Sequence, residues 1–342
     1  MANIYDVAKR ARVSVATVSA VLNDSAFVSP RLKTRVLAAI DALGYRPNLL
    51  ARGLAQRKSH TIAMIVPDIA NPFFPEVVRG AEDCAHASGY TLLISSSDND
   101  PEKEEVYLNL FLSKRVDGIL LTKAPGGIRR DLATALTRAG VPIVQLARTI
   151  PGFRSDAVLM NDRAASYEAV SHLARLGYAR IAMITGIAGA STTRQRVVGY
   201  REALRAAGRT PDPALLAQGD FKVDSGYWAG IELLKKRPDA VFISNYLMSV
   251  GFMKAMRQHQ LRCPRDVAVV TCDDHPWLDG FSPRLTTIDF PKHRLGFEAA
   301  RVLIDRIARG GRDYRHVRLE SALLVRESCG AELRAAGARA FS

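Results

Sequence analysis

Apolar positions in the first sixty residues recur with a helical period and never alternate as in a strand. Ile4, Val7, Ala8 and Ala11 stand at i, i+3, i+4 and i+7, which predicts a short helix with one apolar face. Ser14 offers an N-cap to a second helix over Val15 to Leu22, whose Val18, Val21 and Leu22 turn inward while Ala16, Thr17 and Ala20 face outward. Asn23 and Asp24 end it. Pro30, after Ser29, opens a third helix striped by Val36, Ile40 and Leu43 and closed at Gly44. From His60 onward the pattern changes to short β-branched runs alternating with helical stretches, as in parallel α/β sheets. Strands are predicted over Ile62–Val66, Thr91–Ser95, Gly118–Leu121, Ile143–Leu146, Ala157–Met160, Ile181–Thr185, Ala240–Ile243, Val267–Thr271 and Leu285–Ile288. That many βα units predict two doubly wound lobes behind a small all-α domain.

Composition adds a partner to this outline. The 342 residues are 48% apolar, enough to bury cores without staples, and the formal charge is +14. Residues 1–60 hold ten Lys and Arg against three Asp and Glu, so half of the excess lies in under a fifth of the chain. Two short helices joined by a tight turn, the second with a small polar outer face, form a helix-turn-helix, and the local charge favours DNA over a protein-docking three-helix bundle. Arg10, Arg31, Lys33 and Arg35 are candidates for phosphate contacts, which position without specifying sequence. Cys84, Cys263, Cys272 and Cys329 form neither a CxxC pair nor a metal-ligand spacing and read as core residues of a protein in a reducing compartment. No signal core and no run of about 18 apolar residues is present, which predicts a cytoplasmic protein without a membrane span.

The motifs Asp6-Val7-Ala8, Val13-Ser14, Thr17-Val18-Ser19, Leu22-Asn23 and Leu43-Gly44-Tyr45-Arg46-Pro47-Asn48 closely resemble the N-terminus of the lactose-repressor/galactose-repressor family. Asn71-Pro72-Phe73-Phe74, Arg115-Val116-Asp117-Gly118, Arg196 with Gly199, Gly219-Asp220-Phe221 and Leu285-Thr286-Thr287-Ile288 follow in family order, to about residue 330. The resemblance implies a repressor that binds palindromic operator DNA as a homodimer and answers to a small sugar-like effector in a periplasmic-binding-protein-like domain. It also implies a hinge helix from Asn48 to about Gln56, ordered on DNA, with Leu54 wedged into the minor groove. Gly53 weakens that helix when DNA is absent. The DNA-contact candidates are Ser14, Ala16, Thr17, Ala20, Asn23, Arg31, Asn48 and Leu54. The two alanines favour contact with thymine methyls over bidentate base readout.

Ligands of open α/β sheets bind beyond the carboxyl ends of strands, where Phe73, Phe74, Arg148, Asn245 and Asp273 with Asp274 all fall. The resemblance implies that an aromatic at Phe73 stacks on the ligand, that Arg196 fixes its polar groups and that Asp273 accepts its hydroxyls; Phe221 completes the effector set. Tyr246 stands where many members have Asp, and His275 with Trp277 follow the acidic pair, both of which reshape the pocket. With Arg148, Arg194 and Arg196 near one ligand, an acidic sugar such as an aldonate or uronate is favoured over a neutral one.

Two other classes fit less well. Gly186-Ile187-Ala188-Gly189-Ala190 follows a strand, but no G-x-G-x-x-G opens the first βα unit, and no catalytic triad, zinc motif or P-loop is present. An enzyme is therefore not expected, nor a cofactor or metal. A free sugar-binding protein would share the two lobes, but the fused basic module argues against it. The expected division is 1–47 for DNA binding, 48–59 for the hinge helix and linker, 60–330 for effector binding and dimerisation, and 331–342 for a C-terminal tail without a leucine heptad.

Overall fold

The computed structural model describes residues 2–23, 26–45, 59–311 and 313–334. They fall into two compact units, Met1–Ser59 and His60–Ser342.

In the N-terminal unit, α1 (Ile4–Ala11), α2 (Val15–Asn23) and α3 (Pro30–Leu43) enclose Val7, Ala8, Ala11, Val18, Val21, Val36 and Ala39. Asn3 caps α1 in a capping box: its Oδ1 accepts from Tyr5 and Asp6 backbone N–H groups, and Asp6 Oδ2 accepts from Asn3 N at 2.9 Å. Helix α3 has Pro30 at its start and ends at Gly44 in the left-handed conformation, φ +56°, where a Cβ is costly. A Gly there lets the chain reverse toward Tyr45.

The second unit has two sheets of six strands. The first contains β1 (Thr61–Val66), β2 (Thr91–Ser96), β3 (Gly118–Leu121), β4 (Ile143–Leu146), β5 (Asp156–Met160) and β11 (His316–Leu319), in spatial order β11-β5-β4-β3-β1-β2. The second contains β6 (Ile181–Thr185), β7 (Leu216–Gln218), β8 (Ala240–Ile243), β9 (Ala268–Cys272), β10 (Thr286–Asp289) and β12 (Ala322–Leu324), in order β12-β10-β9-β8-β6-β7. Only β12 runs antiparallel. The predicted two-lobed doubly wound fold is what forms. Helices α4 (Phe73–Ala87), α5 (Pro101–Ser113), α6 (Arg130–Ala139) and α11 (Lys292–Arg309) serve the first lobe; α7 (Asp162–Arg175), α8 (Ser191–Ala206), α9 (Val223–Leu234) and α10 (Tyr246–Gln258) serve the second. Covered on both faces, β3, β4, β6, β8 and β9 are buried throughout, which is why they read as continuous apolar runs.

The chain crosses between the lobes at three places: after β5, after β10 and between β11 and β12. Two crossings are tied together, since Asn161 Nδ2 donates to the Glu320 carboxylate at 3.2 Å. In the first lobe α4 and α11 approach so closely that a Cβ at Gly80 would lie 1.9 Å from the His293 carbonyl, and one at Gly296 would lie 1.8 Å from that of Val77.

Candidate functional site

The helix-turn-helix candidates divide by what their side chains already do. Ser14 Oγ accepts from Thr17 N at 3.1 Å and lies 2.9 Å from Thr17 Oγ1, so both hydroxyls help to set the start of α2. Ala16 is exposed and Ala20 half-buried on the outer side of that helix, and Arg31 is exposed in the first turn of α3. Arg35 behaves differently from the phosphate contact expected of it: its Nη2 donates to the Ala11 carbonyl at 2.5 Å and the Arg12 carbonyl at 3.2 Å, clamping α3 to the open end of α1. The helical period assigns a face but not the partner across it. Asn23 closes α2, while its side chain, Asn48 and Leu54 lie outside the described residues. Two aromatics were missed by sequence reasoning: Tyr5 is exposed in α1, and Phe27, 93% exposed, stands between α2 and α3.

In the second unit the parallel strands bring their carboxyl ends to one edge of each sheet, and charged residues gather there. From the second lobe, Arg196 on α8 donates through Nε to Asp162 Oδ1 at 2.7 Å and through Nη1 to the Ser244 carbonyl, with Phe290 beneath its guanidinium at 5.3 Å. Burial works against this cation, but the facing Asp162 and Asp273 carboxylates hold its pKa above the ordinary value. Asp273 follows β9 at φ +72°. Burial pushes its carboxyl up to about 6 against the pull of Arg196 and Lys292. Asn245 caps α10, accepting from Met248 N at 3.0 Å, and its Nδ2 donates to the Phe221 carbonyl at 3.0 Å. Both ends of this amide thus hold backbone. The Phe221 ring lies over Gly186, where a Cβ would come within 1.9 Å of it.

From the first lobe, Arg148 reaches toward Phe221, its guanidinium 5.8 Å from the ring centroid, and Thr149 N donates across to Ser191 Oγ at 2.8 Å. Burial, and then repulsion by Arg196, push Arg148 down to about 10. Beside it, Lys123 pairs with Glu104 at 2.7 Å, both buried. Phe73 and Phe74 open α4, packed edge to face at 5.1 Å within the apolar core. Arg194, two residues before Arg196, is exposed and donates to the Gly189 carbonyl, so, contrary to expectation, it does not join the buried site.

Thr122 Oγ1, Thr193 Oγ1, Ser244 Oγ and Asp273 Oδ1 are buried without a hydrogen-bond partner. Each such group costs about 1–3 kcal/mol, a cost that a polar ligand can relieve. Lys123, Asp162 and Lys292 were absent from the expected set. The strand-end rule reaches all three, after β3, β5 and β10, but charged residue types there also suit a solvated surface.

No helix among the described residues is long and apolar enough to cross a membrane, and no group of His, Cys, Asp and Glu among them could hold a metal ion.

Comparison with known proteins agrees with both units. Residues 3–48 match the model for bacterial regulatory proteins of the lacI family, and residues 170–329 match that for the periplasmic binding protein-like domain. The chain is similar to the HTH-type transcriptional repressor PurR of Aliivibrio fischeri (strain ATCC 700601 / ES114), with 35% identity over 98% of this chain and 100% of the relative. It is similar to the ribose operon repressor of Escherichia coli (strain K12), with 36% identity over 96% of this chain and 100% of the relative. Among solved structures, a lac repressor dimer bound to operator and the anti-inducer ONPF matches with a TM-score of 0.83 and 25% identity, covering 96% of this chain and 99% of that one.

Proposed function

Because this chain belongs to the lacI family of bacterial regulatory proteins, we propose that it is a transcriptional repressor of genes for carbohydrate or sugar-acid use, released from or recruited to its operator by a small polyhydroxylated effector. The observation that carries the effector is Asp273: a buried carboxylate with an unpartnered oxygen, facing Arg196 at the carboxyl edge of the second sheet. Hydroxyl donors satisfy that oxygen, and Arg196, held in place by Asp162 and Phe290, has its Nη2 left to donate in return. Phe221, Arg148, Phe73 and Phe74 frame the remaining contacts, with Asn245 positioning the Phe221 loop. Binding and release of an unchanged ligand require no catalytic group, and the protein acts as a switch and not as an enzyme.

The N-terminal unit supplies the readout. Ala16, Thr17 and Ala20 on α2 meet base edges, Arg31 meets phosphate, and residues 48–59 act as the hinge that carries Leu54 to the minor groove. Two copies of the chain grip a palindrome. The edge strand β2 exposes Leu93 and Ile94, and the next helix exposes Val106 and Leu110, apolar surface suited to a second copy. An effector that favours one arrangement of the lobes changes operator affinity by its differential affinity for the two states, typically about 1–3 kcal/mol, and DNA changes effector affinity by the same factor.

Selection from random duplex DNA by the full chain, followed by titration at several salt concentrations and with added cytosolic metabolite extract, tests this reading. A palindrome of about 14–20 base pairs, a steep salt slope and a metabolite-dependent change in affinity are expected. Recovery of no motif, with and without extract, overturns it.

A further inference from the structure

Resting on the effector reading above, we propose that the effector carries an anionic group, a carboxylate or a phosphate, which docks on the unpaired edge of Arg148. Four cationic side chains at the carboxyl edges of the two sheets are nine-tenths or more buried: Lys123, Arg148, Arg196 and Lys292. Three of them have a carboxylate. Lys123 lies 2.7 Å from Glu104, Arg196 lies 2.7 Å from Asp162, and Lys292 lies 3.5 Å from both Glu76 and Asp289. Among the described residues Arg148 has none. Its two hydrogen bonds both leave from Nη1 and end on neutral oxygens, Asn99 Oδ1 at 2.8 Å and the Lys123 carbonyl at 3.0 Å.

Nε and Nη2 of Arg148 donate to no described protein atom, and they form one side of the guanidinium fork. Elsewhere this protein uses the same side to hold carboxylates in pairs: Arg163 grips Glu202 at 2.7 and 2.6 Å, and Arg306 grips Asp156 at 2.8 Å through each nitrogen. A planar pair of donors left open in a buried site is complementary to a carboxylate or phosphate face. A buried cation with no carboxylate in direct contact is costly; Glu104 and Asp162 act on it only from a distance, and the Phe221 ring, 5.8 Å away, compensates only partly. The depressed pKa of Arg148 agrees with that strain. Position completes the case. Arg148 belongs to the first lobe, whereas Phe221, Arg196 and Asp273 belong to the second, so a polyol held at Asp273 can direct its acidic end to Arg148 when the lobes close on it.

Calorimetric titration of the full chain with D-gluconate, D-ribose 5-phosphate, inorganic phosphate and D-ribose tests the proposal, and the first two probes separate carboxylate from phosphate. At least one organic anion should bind more than about tenfold tighter than ribose. Arg148→Met should weaken that binding by about thirtyfold or more, Arg148→Lys should restore part of it, and Arg205→Met, at an exposed arginine near the far end of α8, should leave it unchanged. Circular dichroism melts confirm that each variant is folded. Ribose bound as tightly as the anions, or anions bound equally well by Arg148→Met, would overturn the anionic class while leaving an effector site in place. Absence of binding by all four probes, inorganic phosphate included, also overturns it; the effector reading itself is decided independently by the operator titration with metabolite extract.

Discussion

Asp273 combines two unfavourable features, a left-handed backbone at φ +72° and a buried carboxylate oxygen with no partner. For a non-glycine residue the first costs on the order of 1–2 kcal/mol. Such strain is retained where the side chain has a task, and acceptance of ligand hydroxyls is the task proposed for it above. Burial raises its carboxyl pKa from 3.8 to about 6. Between those values the folded state holds a proton that the unfolded state has released, so the free protein should lose stability as pH rises through this window and level off above it. Asp273→Asn, which tolerates the left-handed backbone, should remove this slope. The variant should therefore be the more stable protein at pH 7, by an amount on the order of 2–3 kcal/mol, with the gain vanishing near pH 4 and with weakened effector binding. Urea melts of both proteins from pH 4 to 8 check this; parallel profiles would mean that Asp273 titrates as an ordinary carboxylate. Arg31 and Arg35 make a second contrast at this scale. Arg35→Ala should lower the stability of the N-terminal unit by about 1–2 kcal/mol because the carbonyls that end α1 lose their donor. Arg31→Ala should leave the melt unchanged and reduce the salt slope of operator binding by about one per copy. A melt shifted by Arg31→Ala and not by Arg35→Ala would reverse these roles.

At the scale of elements, hydrophobic period located what local sequence encodes and passed over what distant partners impose. All nine predicted strands form, because each is a run of four to six residues rich in apolar side chains, and most are covered on both faces; β2, at the sheet edge, is the exposed exception. The three that went unseen, β7, β11 and β12, have only three or four residues each and alternate weakly. β11 becomes a strand by pairing with β5, His316 opposite Ala157, a register that no short window contains. The same limit applied to the site. Arg148, Asn245 and Asp273 were visible because they follow apolar runs, whereas the bond from Arg196 to Asp162 depends on how α8 meets the first crossing, and Lys292 on where α11 begins. Helix α11 also depends on a contact that composition does not announce, its close approach to α4 through Gly80 and Gly296. Gly296→Ala keeps a good helix former but places a methyl 1.8 Å from the Val77 carbonyl, so the backbones must separate. A loss of about 2–3 kcal/mol in chemical denaturation is expected, despite the better helix propensity. A neutral or stabilising result would show that α4 and α11 can part without cost.

For the whole molecule, the proposed function requires that events between the lobes reach the N-terminal units of two chains. Three crossings join the lobes, two of them linked by Asn161 and Glu320, so the lobes can shift only as the crossings allow. Such a shift matters to DNA only if it changes the spacing of paired helix-turn-helix units, and hence only in a dimer. The exposed edge of the first sheet makes the dimer testable. Strand β2 ends its sheet with Leu93 at 39% and Ile94 at 44% exposure, and an apolar edge left open invites pairing with other chains unless a partner covers it. Leu93→Lys with Ile94→Lys adds two charges to the first sheet's outer edge and touches none of the proposed effector residues. Sedimentation should then report monomers where the parent chain forms dimers. Operator affinity should fall by more than about tenfold, and the salt slope should approach half its former value, since each complex now neutralises the phosphates of one half-site. Effector affinity in the absence of DNA should change little, because the proposed effector residues all belong to one chain. If the charged variant remains dimeric with its salt slope intact, the two chains meet along another face. If it becomes monomeric but binds operator as before, the lobes transmit nothing through the dimer, and control by the effector must act within a single chain.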